Sequence, residues 1–297
     1  MGRELVQWST EARRTFEEAD DALGYSISGL CFEGPEEKLR LTENTQPAIL
    51  TASIAAWRAL MDRIDAGPSF VAGHSLGEYS ALVAAGSISF ADAVRVVRER
   101  GRSMQEAVPA GQGAMAALMG VDREEVIAVC ADATARGGLA APANFNAPGQ
   151  IVIAGHRETV QRAIELYKER GGRRAVELPV SAPFHCALME PAARRMEEVL
   201  RDIHVDSPKT VLINNAEAEK LTRAEEIRPS LVRQVTSPVL WEDSVKVMIG
   251  QGVLTFLELG PGKVLAGLIR RIDTETASGS FGAPGDLDAA AALVEGK

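Results

Sequence analysis

The chain has 297 residues, 46% hydrophobic and 25% charged, which excludes collagen-like, mucin-like and wholly disordered chains and leaves room for one large domain or two modest ones. Its 32 Lys and Arg stand against 41 Asp and Glu, and the net charge of −9 argues against a non-specific grip on nucleic acid or anionic lipid. The N-terminus has no apolar signal core, no apolar run reaches the roughly 20 residues of a membrane span, and Cys31, Cys130 and Cys186 form no C-x-x-C pair, so a cytoplasmic protein with reduced thiols is expected.

Residues 9–23 place Ala12, Phe16, Ala19 and Leu23 on a sparse apolar stripe that Gly24 ends, which predicts an amphipathic helix; 48–64 predicts a second, more apolar one. Gly67-Pro68 then breaks the chain. Residues 69–73 read as a short apolar strand and 76–85 as an apolar helix closed by Gly86, a strand, tight turn, helix unit. A helix over 91–104 follows. Next come a strand (114–121), a helix (124–135), a hairpin (140–146 and 150–154), a helix (159–170) and a strand (174–180). That order, βαββαβ, is the ferredoxin-like split unit. Gly111 and Gly113 precede it, so it is expected as an insertion, 111–180, within a discontinuous α/β subdomain made of 1–110 and 181–273. The flank resumes with a helix (191–203), a strand (211–214), a helix (239–249) and a strand (255–259) running into Gly260-Pro261-Gly262. From 274 to 297 the composition turns to Gly, Ala, Ser and Asp, which predicts a disordered tail.

Gly73-His74-Ser75-Leu76-Gly77 matches G-x-S-x-G and lies between an apolar strand and an apolar helix, where the motif has mechanical meaning. The glycines permit a sharp turn that projects the Ser75 hydroxyl at the end of the strand, and the helix start supplies backbone N–H groups. The plainer alternative is a serine helix cap in a Gly-rich turn. A serine hydroxyl becomes a useful nucleophile only when a base takes its proton, and the chain has four histidines. Alternation around the turn points His74 away from Ser75, His156 begins a helix of the inserted unit, and His204 lies at a polar helix end. His185, in S-A-P-F-H-C-A-L-M where the chain re-enters the larger subdomain, is the best placed. Gly260-Pro261-Gly262-Lys263 lacks P-loop spacing and reads as a turn after a strand.

GHSLGEYSALVAAG, RVVRERGRSMQEAVP, NFNAPGQIVIAG, PVSAPFHCALMEPAA, LVRQVTSPVLW and ELGPGKVL, in that order over about residues 1–272, closely resemble the bacterial malonyl-CoA:acyl-carrier-protein transacylases. The resemblance implies an α/β-hydrolase-like core interrupted by a ferredoxin-like (βαββαβ) subdomain. It also implies an acyltransferase of fatty-acid biosynthesis, a cytoplasmic monomer without cofactor or metal, that moves malonyl from malonyl-CoA to the phosphopantetheine thiol of acyl carrier protein through a seryl ester. Carried over residue by residue, it makes Ser75 the nucleophile, His185 its general base and Leu76 a backbone donor to the oxyanion. Gln234 would orient His185 through its backbone carbonyl in place of a carboxylate, and Arg100 would hold the malonyl carboxylate. A planar guanidinium suits that task through two parallel hydrogen bonds, although Arg95, Arg98 and Arg102 nearby leave open a solvated Arg100.

Phe184 beside His185 and Leu76 beside Ser75 resemble the malonyl-selecting forms of these motifs in related polyketide acyltransferases, where crowding of an α-methyl branch is worth on the order of 1–3 kcal/mol. Asn144 and Asn146 match the family's N-F-N element and are expected to line the cleft or stabilise the hairpin. Family members begin with a strand and a P-G-Q-G-S-Q loop whose glutamine supports the oxyanion hole; Met1 aligns just after that loop, which predicts a weakened sheet and a poorer oxyanion site. Two rival functions stand beside the transferase: a serine hydrolase, which would release free malonate, and a non-catalytic carrier-binding protein, which would never acylate Ser75.

Overall fold

The computed structural model describes residues 1–180 and 182–296. The chain opens with five helices, α1 (Arg3–Trp8), α2 (Thr10–Leu23), α3 (Ile27–Glu33), α4 (Glu36–Leu39) and α5 (Thr42–Met61). Ser9 caps α2 by accepting from the Ala12 N–H, and Gly24 ends it in the left-handed region at φ 71°. Strand β1 (Phe70–Ala72) follows, then α6 (Gly77–Ala84) and α7 (Phe90–Glu106). Gly101 of α7 lies so close to α5 that a Cβ there would stand 2.5 Å from the Thr42 carbonyl oxygen. Only a glycine permits that approach, which brings the neighbouring Arg100 against Gln46 of α5.

Strand β2 (Gly113–Met119), α8 (Arg123–Ala135), β3 (Ala140–Ala147), β4 (Gln150–His156), α9 (Arg157–Glu169) and β5 (Arg174–Glu177) form an antiparallel sheet of order β3-β4-β2-β5, the ferredoxin-like arrangement. Its alternating inward residues, among them Ala116, Leu118, Ile151 and Ile153, pack against Val126, Val129, Val160, Ala163 and Tyr167 of α8 and α9. The two ends of this unit come together: a Cβ on Gly113 would lie 2.3 Å from Pro183 Cδ, and the Leu178 N–H donates to the Met115 carbonyl at 2.9 Å. Ser181, at the expected start of the returning segment, lies outside the described residues.

The chain then supplies α10 (Glu190–Arg201), β6 (Val211–Ile213), β7 (Lys220–Leu221), α11 (Ala224–Thr236), α12 (Trp241–Gly250), β8 (Thr255–Leu259) and α13 (Val264–Ile272). Strand β6 runs parallel to β1, with Phe70 opposite Val211 and Ala72 opposite Ile213, and β7 pairs antiparallel to β6. These strands lie among helices on a core that includes Leu50, Ile54, Tyr79, Leu82, Val94, Val97, Met196, Leu212 and Leu231. Phe145 and Ala143 of β3 exchange backbone hydrogen bonds with Val239, and Arg123 pairs with Asp243 at 2.6 Å, so the small sheet is stitched to the start of α12.

The expectation of a disordered tail from 274 is overturned. Strand β9 (Ala277–Phe281) pairs in parallel along the length of β8, and α14 (Leu287–Glu295) packs over it with Phe281 and Ala290 buried. The small residues that read as disorder are there for packing. A Cβ on Gly279 would meet Leu293 Cδ2 at 2.6 Å, and one on Gly282 would meet the Gly260 carbonyl oxygen at 2.2 Å. Lys297, the last residue of that expected tail, lies outside the described residues. Among the described residues no helix is long and apolar enough to cross a membrane, and no group of three or more His, Cys, Asp or Glu could hold a metal ion.

Candidate active site

After β1 the chain turns within a few residues into α6. A Cβ on Gly73 would lie 2.0 Å from the Gly77 backbone, so the turn closes only because that residue is glycine. Ser75 at its apex takes φ 53°, a left-handed conformation that costs on the order of 1–3 kcal/mol for a residue with a side chain. Side chains from elsewhere in the chain hold it there. The Ser75 N–H donates to Asn215 Oδ1 at 2.6 Å, and Asn215 Nδ2 donates to the Gly73 carbonyl at 2.8 Å. On the other side the Ser75 carbonyl accepts from Gln234 Nε2 at 2.9 Å and from the Glu78 N–H at 3.1 Å.

His185 also has a left-handed backbone, φ 59°, and is 3% exposed. Its Nε2 lies 2.7 Å from Ser75 Oγ and its Nδ1 lies 3.0 Å from the Gln234 carbonyl oxygen. A carbonyl can only accept, so Nδ1 carries the proton, Nε2 is the acceptor, and the Ser75 hydroxyl donates to it. The Gln234 carbonyl is available because residue 238, whose N–H would have continued α11, is a proline. Burial, together with the nearby Arg100 charge, pushes the His185 imidazole down to about 3. It is therefore neutral at physiological pH, ready to accept.

Arg100 is 1% exposed. Its Nη1 donates to Gln46 Oε1 at 2.8 Å, and its Nη2 donates to Ser75 Oγ at 3.0 Å and to Gln234 Oε1 at 2.8 Å. The neighbouring arginines go elsewhere: Arg95 to Asp92, Arg98 over the Tyr25 ring and Arg102 to Glu99. Amphipathic spacing accounts for the difference, since Arg100 falls on the same face of α7 as Val96, Val97 and Met104. The Gln234 amide is thus oriented by a cation at its oxygen, while its Nε2 also donates to Glu78 Oε2 at 2.8 Å. Glu78 itself is fully buried. Burial pushes its carboxyl up to about 7 against the hydrogen bonds from Gln234 and from the Asn215 N–H.

Leu76 sits immediately before α6, where a backbone N–H is one of the unpaired donors of a helix start. Phe184 is half-buried and packs against both the main core and the cluster containing Met115, Ala143 and Val152. Asn144 bridges Val239, while Asn146 receives His74, whose Nε2 is 2.8 Å from Asn146 Oδ1 and whose ring lies 5.9 Å from that of Trp241. The sequence reading missed Gln46, Glu78, Asn215 and the side chain of Gln234. Only Glu78 left a signal, as a charge set in the otherwise uncharged run G-E-Y-S-A-L-V-A. The three cysteines are buried and free, and burial raises all of their thiols.

A hydroxyl that donates to a neutral, oriented imidazole and accepts from a buried guanidinium can attack an electrophilic carbonyl and keep an anionic substituent nearby. The acyl transferase domain family model matches residues 1–279. Malonyl CoA-acyl carrier protein transacylase of Escherichia coli (strain K12) is 52% identical over 265 residues, 89% of this chain and 85% of that protein. The solved malonyl CoA-acyl carrier protein transacylase of Coxiella burnetii superposes with a TM-score of 0.96 at 41% identity, covering 99% of this chain and 93% of that one. A malonyl-transacylase solved in complex with its type II PKS acyl-carrier protein superposes with a TM-score of 0.95 at 44% identity, over 99% of this chain and 94% of that one.

Proposed function

The chain belongs to the acyl transferase domain family, and from that premise we propose that it moves a malonyl group from malonyl-CoA to acyl carrier protein in fatty-acid synthesis, with Ser75 carrying the group between them. The observation that carries the residue assignment is the pair of contacts on one oxygen: Ser75 Oγ donates to His185 Nε2 at 2.7 Å and accepts from Arg100 Nη2 at 3.0 Å.

Ser75 Oγ attacks the thioester carbonyl as its proton passes to His185 Nε2, and the Leu76 N–H donates to the oxygen that becomes negative. Collapse breaks the carbon–sulfur bond, and the CoA thiolate leaves with the proton from His185. The carrier's phosphopantetheine thiol then gives its proton to His185 and attacks the seryl ester. Ser75 recovers its proton as the malonyl thioester departs. Arg100 pairs with the distal malonyl carboxylate, which acetyl lacks. Pairing also offsets the charge that disfavours an imidazolium at His185, so the substrate's own carboxylate makes the base more effective. Phe184 narrows the acyl site beside His185. The enzyme works as a cytoplasmic monomer.

Intact mass tests this directly. After malonyl-CoA the wild-type chain should gain one malonyl group, lose it on addition of holo-carrier, and yield malonyl-carrier as product, whereas Ser75→Ala should gain nothing. Free malonate as the main product would make it a hydrolase, and a labelled Ser75→Ala chain would remove Ser75 from the reaction.

A further inference from the structure

Glu78 stands apart from the groups that touch substrate. It is the second residue of α6, fully buried, and only one of its carboxylate oxygens is in use. Oε2 accepts from the Asn215 N–H at 3.0 Å and from Gln234 Nε2 at 2.8 Å, while Oε1 is buried with no hydrogen-bond partner among the described residues. A carboxylate kept in the interior with half its capacity unmet is a costly way to fill space. What it achieves is visible in the two residues it holds. Asn215 Oδ1 receives the Ser75 N–H and Gln234 Nε2 donates to the Ser75 carbonyl, so the peptide groups on either side of the nucleophile are gripped by two residues that meet at one oxygen, Asn215 through its backbone N–H and Gln234 through its side chain. The same Gln234 amide receives Arg100, and the Gln234 backbone carbonyl holds His185.

We propose that Glu78 is the positioning residue of the nucleophile: its Oε2 sets Asn215 and Gln234, and through them the left-handed backbone that aims Ser75 Oγ at His185. The inference rests on Ser75 being the nucleophile. Glu78 need not touch substrate or carry a proton for this. What it must do is present one acceptor at the Oε2 position, so the amide of glutamine can stand in, with its oxygen toward Asn215 and Gln234 and its nitrogen in the place of Oε1. Aspartate cannot, because it withdraws the acceptor by one methylene. A misplacement of about 1 Å at a reacting group costs about 10²-fold.

The experiment compares wild type, Glu78→Gln, Glu78→Asp and Glu78→Ala by thermal melting, by single-turnover acylation with saturating malonyl-CoA read as intact mass, and by labelling with phenylmethanesulfonyl fluoride, which carries no carboxylate for Arg100. Glu78→Asp and Glu78→Ala should lose about 10²-fold in acylation rate, with the malonyl-CoA KM changed less than threefold, and should lose sulfonyl labelling in parallel. Glu78→Gln should recover the rate to within a few-fold of wild type. Cooperatively melting Asp or Ala variants that acylate at the wild-type rate would overturn the proposal, as would a well-folded Gln variant as slow as Asp, or a loss confined to KM. If Glu78→Ala does not fold, the contrast between Gln and Asp decides alone. The wild-type arm separates the two readings: absence of malonyl on wild-type Ser75 would sink the nucleophile assignment, whereas its presence leaves the variants to judge Glu78.

Discussion

Strands β2 and β4 pair over seven residues each, and their ladder is continued by β3 and β5; β1 and β6 meet over three residues each. The small sheet is positioned by its backbone and by an apolar face, whereas the region that carries Ser75 is positioned by polar side chains reaching across the fold. Asn215 follows β6, Gln234 comes from α11 and Arg100 from α7, where Gln46 of α5 steadies it, and none is close in sequence to the turn that Asn215, Gln234 and Arg100 hold. Long ladders tolerate the loss of one contact because their neighbours share it. A constellation of single hydrogen bonds does not, so its residues should be the sensitive ones for activity and the sheet's the sensitive ones for stability.

Arg100→Ala gives the largest departure. It leaves Gln234 Oε1 and Gln46 Oε1 without their shared cation and removes the partner for a distal carboxylate, so malonyl transfer should fall about 10²-fold more than acetyl transfer, measured as the ratio of kcat/KM values. Equal losses for both acyl groups would make Arg100 structural. Pro238→Ala is subtler. It restores an N–H at the position that competes for the Gln234 carbonyl, and Ser75 acylation should slow about tenfold through a misoriented His185 while melting hardly changes. An unaltered rate would mean that His185 is oriented by its packing alone.

Ile153→Ala probes the other region. Ile153 is fully buried in β4, and its truncation should cost about 2–5 kcal/mol in chemical denaturation while single-turnover acylation changes less than twofold. A rate loss as large as that from Arg100→Ala would mean that the two regions are not separately held.

The smallest effect is in the pH dependence of stability. His185 is held neutral down to about 3, so between there and its usual 6.5 the unfolded chain binds the extra proton, and stability falls as pH falls; His74, also lowered by burial, adds in the same direction. Glu78, raised from 4.5 to about 7, keeps a proton that the unfolded chain has lost, so between those values stability falls as pH rises. The slopes oppose one another from 4.5 to 6.5. Glu78→Gln removes one of them, and its stability relative to wild type should rise with pH across that window by up to about 1 kcal/mol per unit. Parallel curves for the two proteins would mean that Glu78 is already ionised there.

The same contrast explains what could be read from the sequence. The βαββαβ order was legible because its central strands are short apolar runs separated by clear helical segments and turn residues, and the hairpin partners lie within a few residues, so local pattern and tertiary pairing agree. The G-x-S-x-G turn was legible because steric need leaves a glycine signature. The bundle of amides and a carboxylate around Ser75 was not, since Asn215, Gln46 and the Gln234 side chain obey no period and acquire meaning only from partners more than 50 positions away. Helix α11 went unpredicted although Pro238 marks its end, because Pro229 lies inside it and obscured the pattern. The segment 277–295 was misread for a related reason: smallness that serves close packing under α14 resembles, in composition, the smallness of a linker.

The meeting of Gly113 and Pro183 has a consequence for descent. To the surrounding layer, everything between those residues is a loop whose ends are already joined, and the entropic penalty of a loop grows only with the logarithm of its length. A gene encoding the outer layer could therefore have acquired the whole βαββαβ cassette at one surface turn, or have exchanged it for a variant with another lining, without redesigning the elbow. Ser75, Arg100, His185 and Gln234 all lie outside that cassette, so its sequence and length can drift while the contacts among them are inherited intact.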